Sequence, residues 1–565
     1  MNRTFRCLIL LMALMMLSSL PVAHGEKMEG IVRVLLTKLN LTDRVEISLD
    51  GSYTLNGIAF QRGSDLIVSS ASGTLMVYYE GMSLDAGKTL TLTRHAVPQG
   101  QENGLRFNGA YELHPGDLVL SVQGKQLRPV LHAPVEEYLL GVVPYEMSDS
   151  FPLEALKAQA VAARTYALKR IGAHADYDVV DNTNDQAYYG VKKEHTNAAR
   201  AVKETAGVCG YYKGKMADCY YSASNGGQTE LVSHVWGEGD YGYLSMIDDP
   251  YDVENRESVV KSASFPKVIT DHSQLRGLEN DILGLLSEIM ESKGYDGDTR
   301  HIRIAGIDKA ELALPLYTDS PSRIMTLLKL SLQVEGRRLL RMDDEEEISI
   351  FELPPTEPPR QTETWSQMER LKEPVLIALD IFPAVESTLG LSINGGSNEI
   401  MTIQETDSAF ILESRRYGHG VGMSQRGAQC MAGNYDWNYL QILRFYYPGM
   451  DLKTLNYTFA MPKALGQTFL STPAPAATPT PRPTAQPLRS TPGPDQSMVI
   501  VNNIGVNSYL NLRAEANTQS AVLRQLYYGQ QLIVLQDMGE WLQVRTDDIT
   551  GYVMRSFVNP FVLPQ

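Results

Sequence analysis

Residues 133–170 read APVEEYLLGVVPYEMSDSFPLEALKAQAVAARTYALKR, and the reading of this stretch decides the fold. Its second half predicts a helix over 153–170: Ser150 stands where an N-cap belongs, Pro152 suits the first turn, and Lys169 and Arg170 close the last. Six alanines between Leu153 and Ala167 allow a neighbouring sheet or helix to approach closely, which fixes whatever precedes the helix. What precedes it is Glu146, behind apolar Leu139, Leu140, Val142 and Val143. A carboxylate among apolar neighbours has its charged form penalised, so its pKa rises towards the range of a general acid. Taken alone, such a glutamate equally suits a helix cap or the partner of a lysine.

Inside the helix, Arg164 lies among alanines and needs a partner where it is buried. Pairing with Glu146 would lower that pKa, so the expected contact is substrate or another carboxylate. Gln159 takes a structural reading. Upstream, IVRVLLTKLNLTDRVEISLDGSYTL over 31–55 alternates as a strand meander, and further strands are expected at 75–79, 89–93 and 118–122. Strands in a run followed by helices indicate an α+β body.

Far along the chain, residues 417–428 read YGHGVGMSQRGA. Glycines 418, 420 and 422 let the backbone approach a ligand and take positive φ. His419 then contacts a sugar or orients Glu146, or it satisfies the backbone of a tight turn. Ser424 and Gln425 are candidate sugar contacts. Two more pieces, QAYYG at 186–190 and YYSASNGGQTE at 220–230, supply Tyr188 and Tyr221, whose flat faces and polar tips suit either sugar stacking or burial.

Together these pieces resemble the SpoIID/LytB family of bacterial cell-wall proteins, whose members include sporulation lytic transglycosylases and amidase-enhancing wall proteins. The resemblance spans residues 26–470 and is weakest over 255–400. It implies that Glu146 is the catalytic acid and base of a peptidoglycan lytic transglycosylase acting on glycan strands stripped of peptide, leaving 1,6-anhydromuramyl ends. It also implies substrate contacts from Arg164, Tyr188, Tyr221, His419, Ser424 and Gln425. The family's other branch implies a non-catalytic enhancer with a wall amidase as partner. A third reading, a two-carboxylate muramidase, needs a second acid such as Asp149 or Glu137. Some relatives carry a Cys/His cluster suited to zinc ahead of the QxYxG piece, where this chain has Val180, Asn184 and Asp185. No metal and no cofactor are expected.

Composition changes at Ser471, where a proline-rich stretch over 471–497 reads as a linker, extended enough to separate two modules by up to about 80 Å. Beyond it, 498–565 carries short β-rich runs at 498–501, 509–513, 522–526, 531–536, 541–545 and 551–553, the density of a small barrel. Its pieces LNLRAE, LYYGQQLIVL, GEWLQV and GYV resemble a bacterial SH3-like domain. That resemblance implies wall binding through Tyr528, Trp541 and Tyr552, with core packing as the alternative for Trp541.

Residues 1–25 have the three parts of a secretory signal: Arg3 and Arg6, an apolar run of about 14 residues, and a small-x-small site at Ala23, His24 and Gly25. The run is below the roughly 18–20 residues a membrane span requires, so the mature protein is expected outside the cell or in the wall. Losing both arginines takes the formal charge from −16 to −18. That charge repels a polyanion and excludes nucleic acid as a partner.

Signal removal leaves Cys209, Cys219 and Cys430. A hairpin turning at 213–215 leaves two outcomes open for the first pair, a cross-strand disulfide or two free thiols. Cys430 is expected buried. Within 255–400, residues 271–293 predict an amphipathic helix through Leu275, Leu278, Ile282, Leu285 and Ile289, stopped by Gly294. The acidic run 343–347 reads as a solvated face, 354–359 as a stiff loop, and the region as a whole as a wall beside the substrate.

Overall fold

The protein is described from a computed structural model covering residues 30–71, 73–124, 126–272, 275, 277–340, 364–457, 462–465, 497–501, 509–527, 530–546 and 549–561. The leader, the linker up to residue 496, the runs 343–347 and 354–359, and Tyr528 lie outside them. Contacts divide the chain into two units, Met1–Leu470 and Ser471–Gln565. The fold is α+β.

Two sheets form the base of the first unit. One has seven strands in the order Val179–Val180, Ile31–Leu35, Gln126–Pro134, Asp117–Gln123, Thr89–His95, Ser52–Leu55, Ile58–Phe60. The other runs Met82–Asp85, Thr74–Tyr79, Ser64–Ala71, Arg44–Leu49, Leu105–Phe107. The expected meander over 31–55 is therefore corrected. Ile31–Leu35 pairs with Gln126–Pro134, Arg44–Leu49 joins the other sheet, and Ser52–Leu55 returns to the first. Alternation gives each strand a buried face but does not say which neighbour it pairs with.

The alanine-rich helix spans Leu153–Lys169, and its six alanines are fully buried. Around it pack the helices Val135–Leu140, Thr196–Glu204, Gln425–Asn434 and Tyr439–Tyr446 and the strand Val208–Tyr212. Its N-cap is Pro152, with no side-chain cap, because the Ser150 hydroxyl is turned to Ser148 instead. After the hairpin strand Val208–Tyr212 the turn has two residues, Lys213 and Gly214, both at positive φ, since Tyr212 pairs with Lys215. The shorter turn moves Cys219 out of register with Cys209, and all three thiols are buried and free.

The described residues within 260–412 build a lobe with its own core. The hairpin Arg303–Pro315 and Met325–Gly336, extended by Val375–Asp380, is covered by the helix Leu278–Ser292. This helix begins seven residues later than expected, after Gly277 at φ 54°. Its buried face is Leu278, Ile282, Leu283, Leu286 and Met290, and Leu285 faces solvent.

The second unit holds a seven-stranded sheet in the order Val522–Tyr527, Tyr509–Arg513, Thr550–Met554, Trp541–Arg545, Gln531–Asp537, Met498–Val501, Val558–Phe561. The last strand was not anticipated. Trp541 and Tyr552 are partly exposed, outside a core built on residues such as Leu512, Leu526 and Val544.

Candidate functional site

Glu146 ends the one-turn helix Val143–Glu146, which leaves the helix Val135–Leu140 through Gly141. A Cβ at Gly141 would stand 2.5 Å from the Tyr188 ring, so only glycine admits this close crossing. The Gly141 carbonyl accepts from the Tyr189 N–H at 3.1 Å, which draws 187–189 alongside. The Ala187 N–H then donates to Glu146 Oε1 at 2.7 Å.

Three more groups converge on this carboxyl. The Tyr221 hydroxyl and the Lys38 ammonium both lie close enough to favour its charged form. Gln425 Nε2 approaches Oε2 at 3.4 Å and Gln159 Oε1 at 3.5 Å. Tyr221 is held in turn: Gln186 Nε2 donates to its hydroxyl at 2.9 Å and to the Ala163 carbonyl at 3.2 Å, while Tyr138 donates to Gln186 Oε1 at 3.2 Å. The alanine helix thus fixes Tyr221 beside Glu146 through Gln186. Burial raises the Glu146 pKa above the ordinary carboxylate value, against the Ala187 N–H, Gln425, Lys38 and Tyr221, which pull it down. The side chain stays partly open to solvent. It has no direct ion pair among the described residues, so it can hold a proton more readily than a surface glutamate.

The second motif reaches the same place. Met423–Ser424 pairs in parallel with Tyr221–Ser222, and Gln425 follows directly. A Cβ on Gly422 would meet the Tyr220 carbonyl oxygen at 2.1 Å, so this approach requires glycine, here at φ 73°. His419 packs edge-on against Trp236 at 4.7 Å, and its Nδ1 accepts from the Val421 N–H at 3.0 Å. Burial lowers its pKa to about 4, leaving a neutral imidazole at physiological pH.

Several expected contacts take other positions. Arg164 has no exposed surface; it forks onto Glu136 with two 2.8 Å bonds and donates to the Val202 carbonyl, so its carboxylate partner is structural and no glycan reaches it. Tyr188 is buried, stacked on Tyr138 at 5.3 Å, and offers no sugar platform. Ser424 is fully buried as the N-cap of Gln425–Asn434 and donates to Asp252 at 2.5 Å. Tyr221, Gln425 and His419 remain at the site. Of the candidate second acids, Glu137 pairs with Arg94 at 2.6 Å and Asp149 accepts from the Ala198 N–H at 2.7 Å. Neither is free to face Glu146 across a cleft.

Sequence reasoning missed Lys38, Gln186 and the exposed Trp236 and Tyr189. Lys38 lies far upstream and arrives because the Thr37 and Lys38 N–H groups donate to Asp181, after which its Nζ sits 3.3 Å above the Tyr189 ring. Gln186 lay inside a quoted piece but had no apolar or charged context to single it out.

A family model described as Stage II sporulation protein, SpoIID, matches residues 123–212, the stretch that contains Glu146 and the alanine helix. A second, described as Bacterial SH3 domain, matches 508–559. The chain carries a SpoIID domain and a bacterial SH3 domain. An uncharacterized protein of Brachyspira hyodysenteriae is 27% identical over 431 residues, 76% of this chain and 94% of its own length. The amidase enhancer of Bacillus subtilis is 28% identical over 330 residues, 56% of this chain and 40% of that protein. The stage II sporulation protein D of the same organism is 28% identical over 189 residues, 30% of this chain and 52% of its own length. The chain thus spans about half or less of the two Bacillus relatives. The SpoIID match ends before the second motif, so the link of Gln425 to Glu146 rests on the geometry above.

Proposed function

We propose that the protein is an exported cell-wall enzyme that cuts peptidoglycan glycan strands as a lytic transglycosylase, with Glu146 as both acid and base. A recessed carboxyl with a raised pKa, with the two candidate second acids Glu137 and Asp149 engaged elsewhere, carries this reading. Hydrolysis generally employs two carboxyls, whereas intramolecular transfer needs one. Protonated Glu146 gives its proton to the leaving glycosidic oxygen as the bond to the anomeric carbon breaks. The resulting carboxylate takes the proton of the muramyl C6 hydroxyl as that oxygen bonds to the anomeric carbon, which restores Glu146 and closes a 1,6-anhydro ring. The Ala187 N–H and Gln425 hold the carboxyl in place, and His419, neutral in its glycine turn, adds no charge nearby. Digesting peptide-free glycan and weighing the termini tests this: ordinary reducing ends would reject it.

The relative named an amidase enhancer covers more of this chain than the sporulation protein does, which favours a second reading as a wall-binding activator of an amidase. On that reading Glu146→Gln leaves stimulation of the amidase intact. Wall retention falls to the SH3 domain, with Trp541 and Tyr552 as contact candidates.

A further inference from the structure

A carboxyl that first gives up a proton and then takes one back has to be accommodated both neutral and charged. The two oxygens of Glu146 are placed differently for that task. Oε1 accepts the Ala187 N–H at 2.7 Å, a bond fixed by the backbone, so the proton that comes and goes belongs to Oε2. Gln425 Nε2 stands 3.4 Å from Oε2 and 3.5 Å from Gln159 Oε1. Both distances are long for an N–H···O bond. The two hydrogens of this amide point to different oxygens, so closing on one opens the other.

The surroundings fix the partners of this contact and leave the amide itself free to move. Gln159 is fully buried on the alanine helix. Its Nε2 has no hydrogen-bond partner among the described residues, and the approach of Gln425 to its Oε1 is the one hydrogen bond its side chain makes there. A buried glutamine that served only to tie the helix to its neighbours would have its amide nitrogen engaged. The backbone on either side of Gln425 is held. The Ser424 hydroxyl accepts from the Gly427 N–H at 3.0 Å, and the Arg426 N–H donates to the Ala223 carbonyl at 3.0 Å. Only the Gln425 side chain is left to choose between the two oxygens.

We propose that Gln159 and Gln425 are positioning residues for Glu146: the Gln425 amide closes on Oε2 when Glu146 is charged and falls back on Gln159 Oε1 when Glu146 carries its proton. The proposal rests on the reading of Glu146 as acid and then base, and adds the means by which one carboxyl serves in both states. Without the Gln159 oxygen the amide stays on the carboxylate and favours its charged form; without the Gln425 amide the carboxylate loses a donor. Among the described residues, Lys38, Tyr138 and Tyr221 are the titratable groups that act on Glu146 from the other elements around it, and neither substitution below replaces them.

The test is the protonation midpoint of Glu146 in the full-length protein, read by infrared difference spectroscopy of isotope-labelled glutamate with Glu146→Gln as the blank, alongside the pH profile of kcat/KM on glycan. Gln159→Met should lower the midpoint and Gln425→Met should raise it, each by roughly half to one pH unit, the scale of one hydrogen bond to a charged group. The alkaline limb of kcat/KM should move in the same sense. Because Gln159 acts through Gln425, adding Gln159→Met to Gln425→Met should shift nothing further. Shifts of one sign in both variants, no shift from Gln159→Met in a protein that melts normally, or a Gln159→Met shift that survives in the Gln425→Met background overturns the proposal. Should Gln159→Met fail to fold, the side-chain amide signal of Gln425 in the wild-type protein decides, assigned by its loss in Gln425→Met. It should move across the Glu146 midpoint, and a signal flat over that range overturns the proposal. Opposite shifts without anhydro products keep the amide pair and reject the catalytic reading; anhydro products with no shift from Gln159→Met do the reverse.

Discussion

At the scale of single residues, the account turns on where charge is tolerated. The raised pKa of Glu146 has a cost in stability with a defined sign. A carboxyl whose folded pKa lies above its unfolded value contributes stability at acid pH that is lost as pH rises through the folded pKa. Glu146→Gln removes that loss, so denaturant unfolding should show the variant at least as stable as wild type near neutrality, with the gap closing at acid pH. Asp249 supplies an independent case. Burial raises its pKa to about 6 although it accepts from Tyr446 at 2.6 Å and Asn225 at 2.7 Å. Its contribution is present below its ordinary value of 3.8 and fades as pH passes 6, by on the order of 2–3 kcal/mol. Asp249→Asn should flatten the stability profile across that window; an unchanged slope would show that the buried network stays protonation-independent. Arg416 was invisible from sequence. It sits at φ 99°, unusual for a non-glycine residue, held by Asn225, Gln228 and Glu230, and nothing local in its sequence announces such strain.

At the scale of elements, the alanine helix is the part most legible in the sequence. Its limits fell within one residue of expectation because alanine content, proline and terminal lysine act locally. What it packs against was not legible, since partners come from strands and helices far along the chain. Arg164 shows the difference: the need for a carboxylate partner followed from burial, but the identity of that partner, Glu136, is a tertiary fact. Arg164→Ala leaves Glu136 unpaired over buried carbonyls and should cost about 3 kcal/mol, with a lower melting temperature, while the protein that remains folded keeps its activity. A loss of activity without a loss of stability would return Arg164 to the substrate. The helix over 271–293 was misphased for a related reason: Gly277 breaks the backbone before Leu278, and the apolar periodicity fits two faces until the sheet beneath chooses one.

At the scale of the whole molecule, two sequence pieces separated by more than two hundred residues meet at one carboxyl, with Ala187 on one oxygen and Gln425 on the other. The family pattern identified both pieces; their meeting through Tyr221–Ser222 and Met423–Ser424 needed coordinates. The lobe over 260–412 had no reading beyond a substrate-side wall, because its residues make sense only against the His419 turn they clamp. The second unit has its own core, so a chain ending before Ser471 should keep its melting transition and its action on soluble glycan while binding intact wall less, as read by pelleting with sacculi. Equal pelleting would remove the SH3 domain from wall retention. The most direct measurement is mass spectrometry of glycan termini after incubation of peptide-free strands with wild type and Glu146→Gln. The account predicts 1,6-anhydro ends from wild type and a loss of at least about a hundredfold in the variant. Ordinary reducing ends, or undiminished cleavage by the variant, would contradict it.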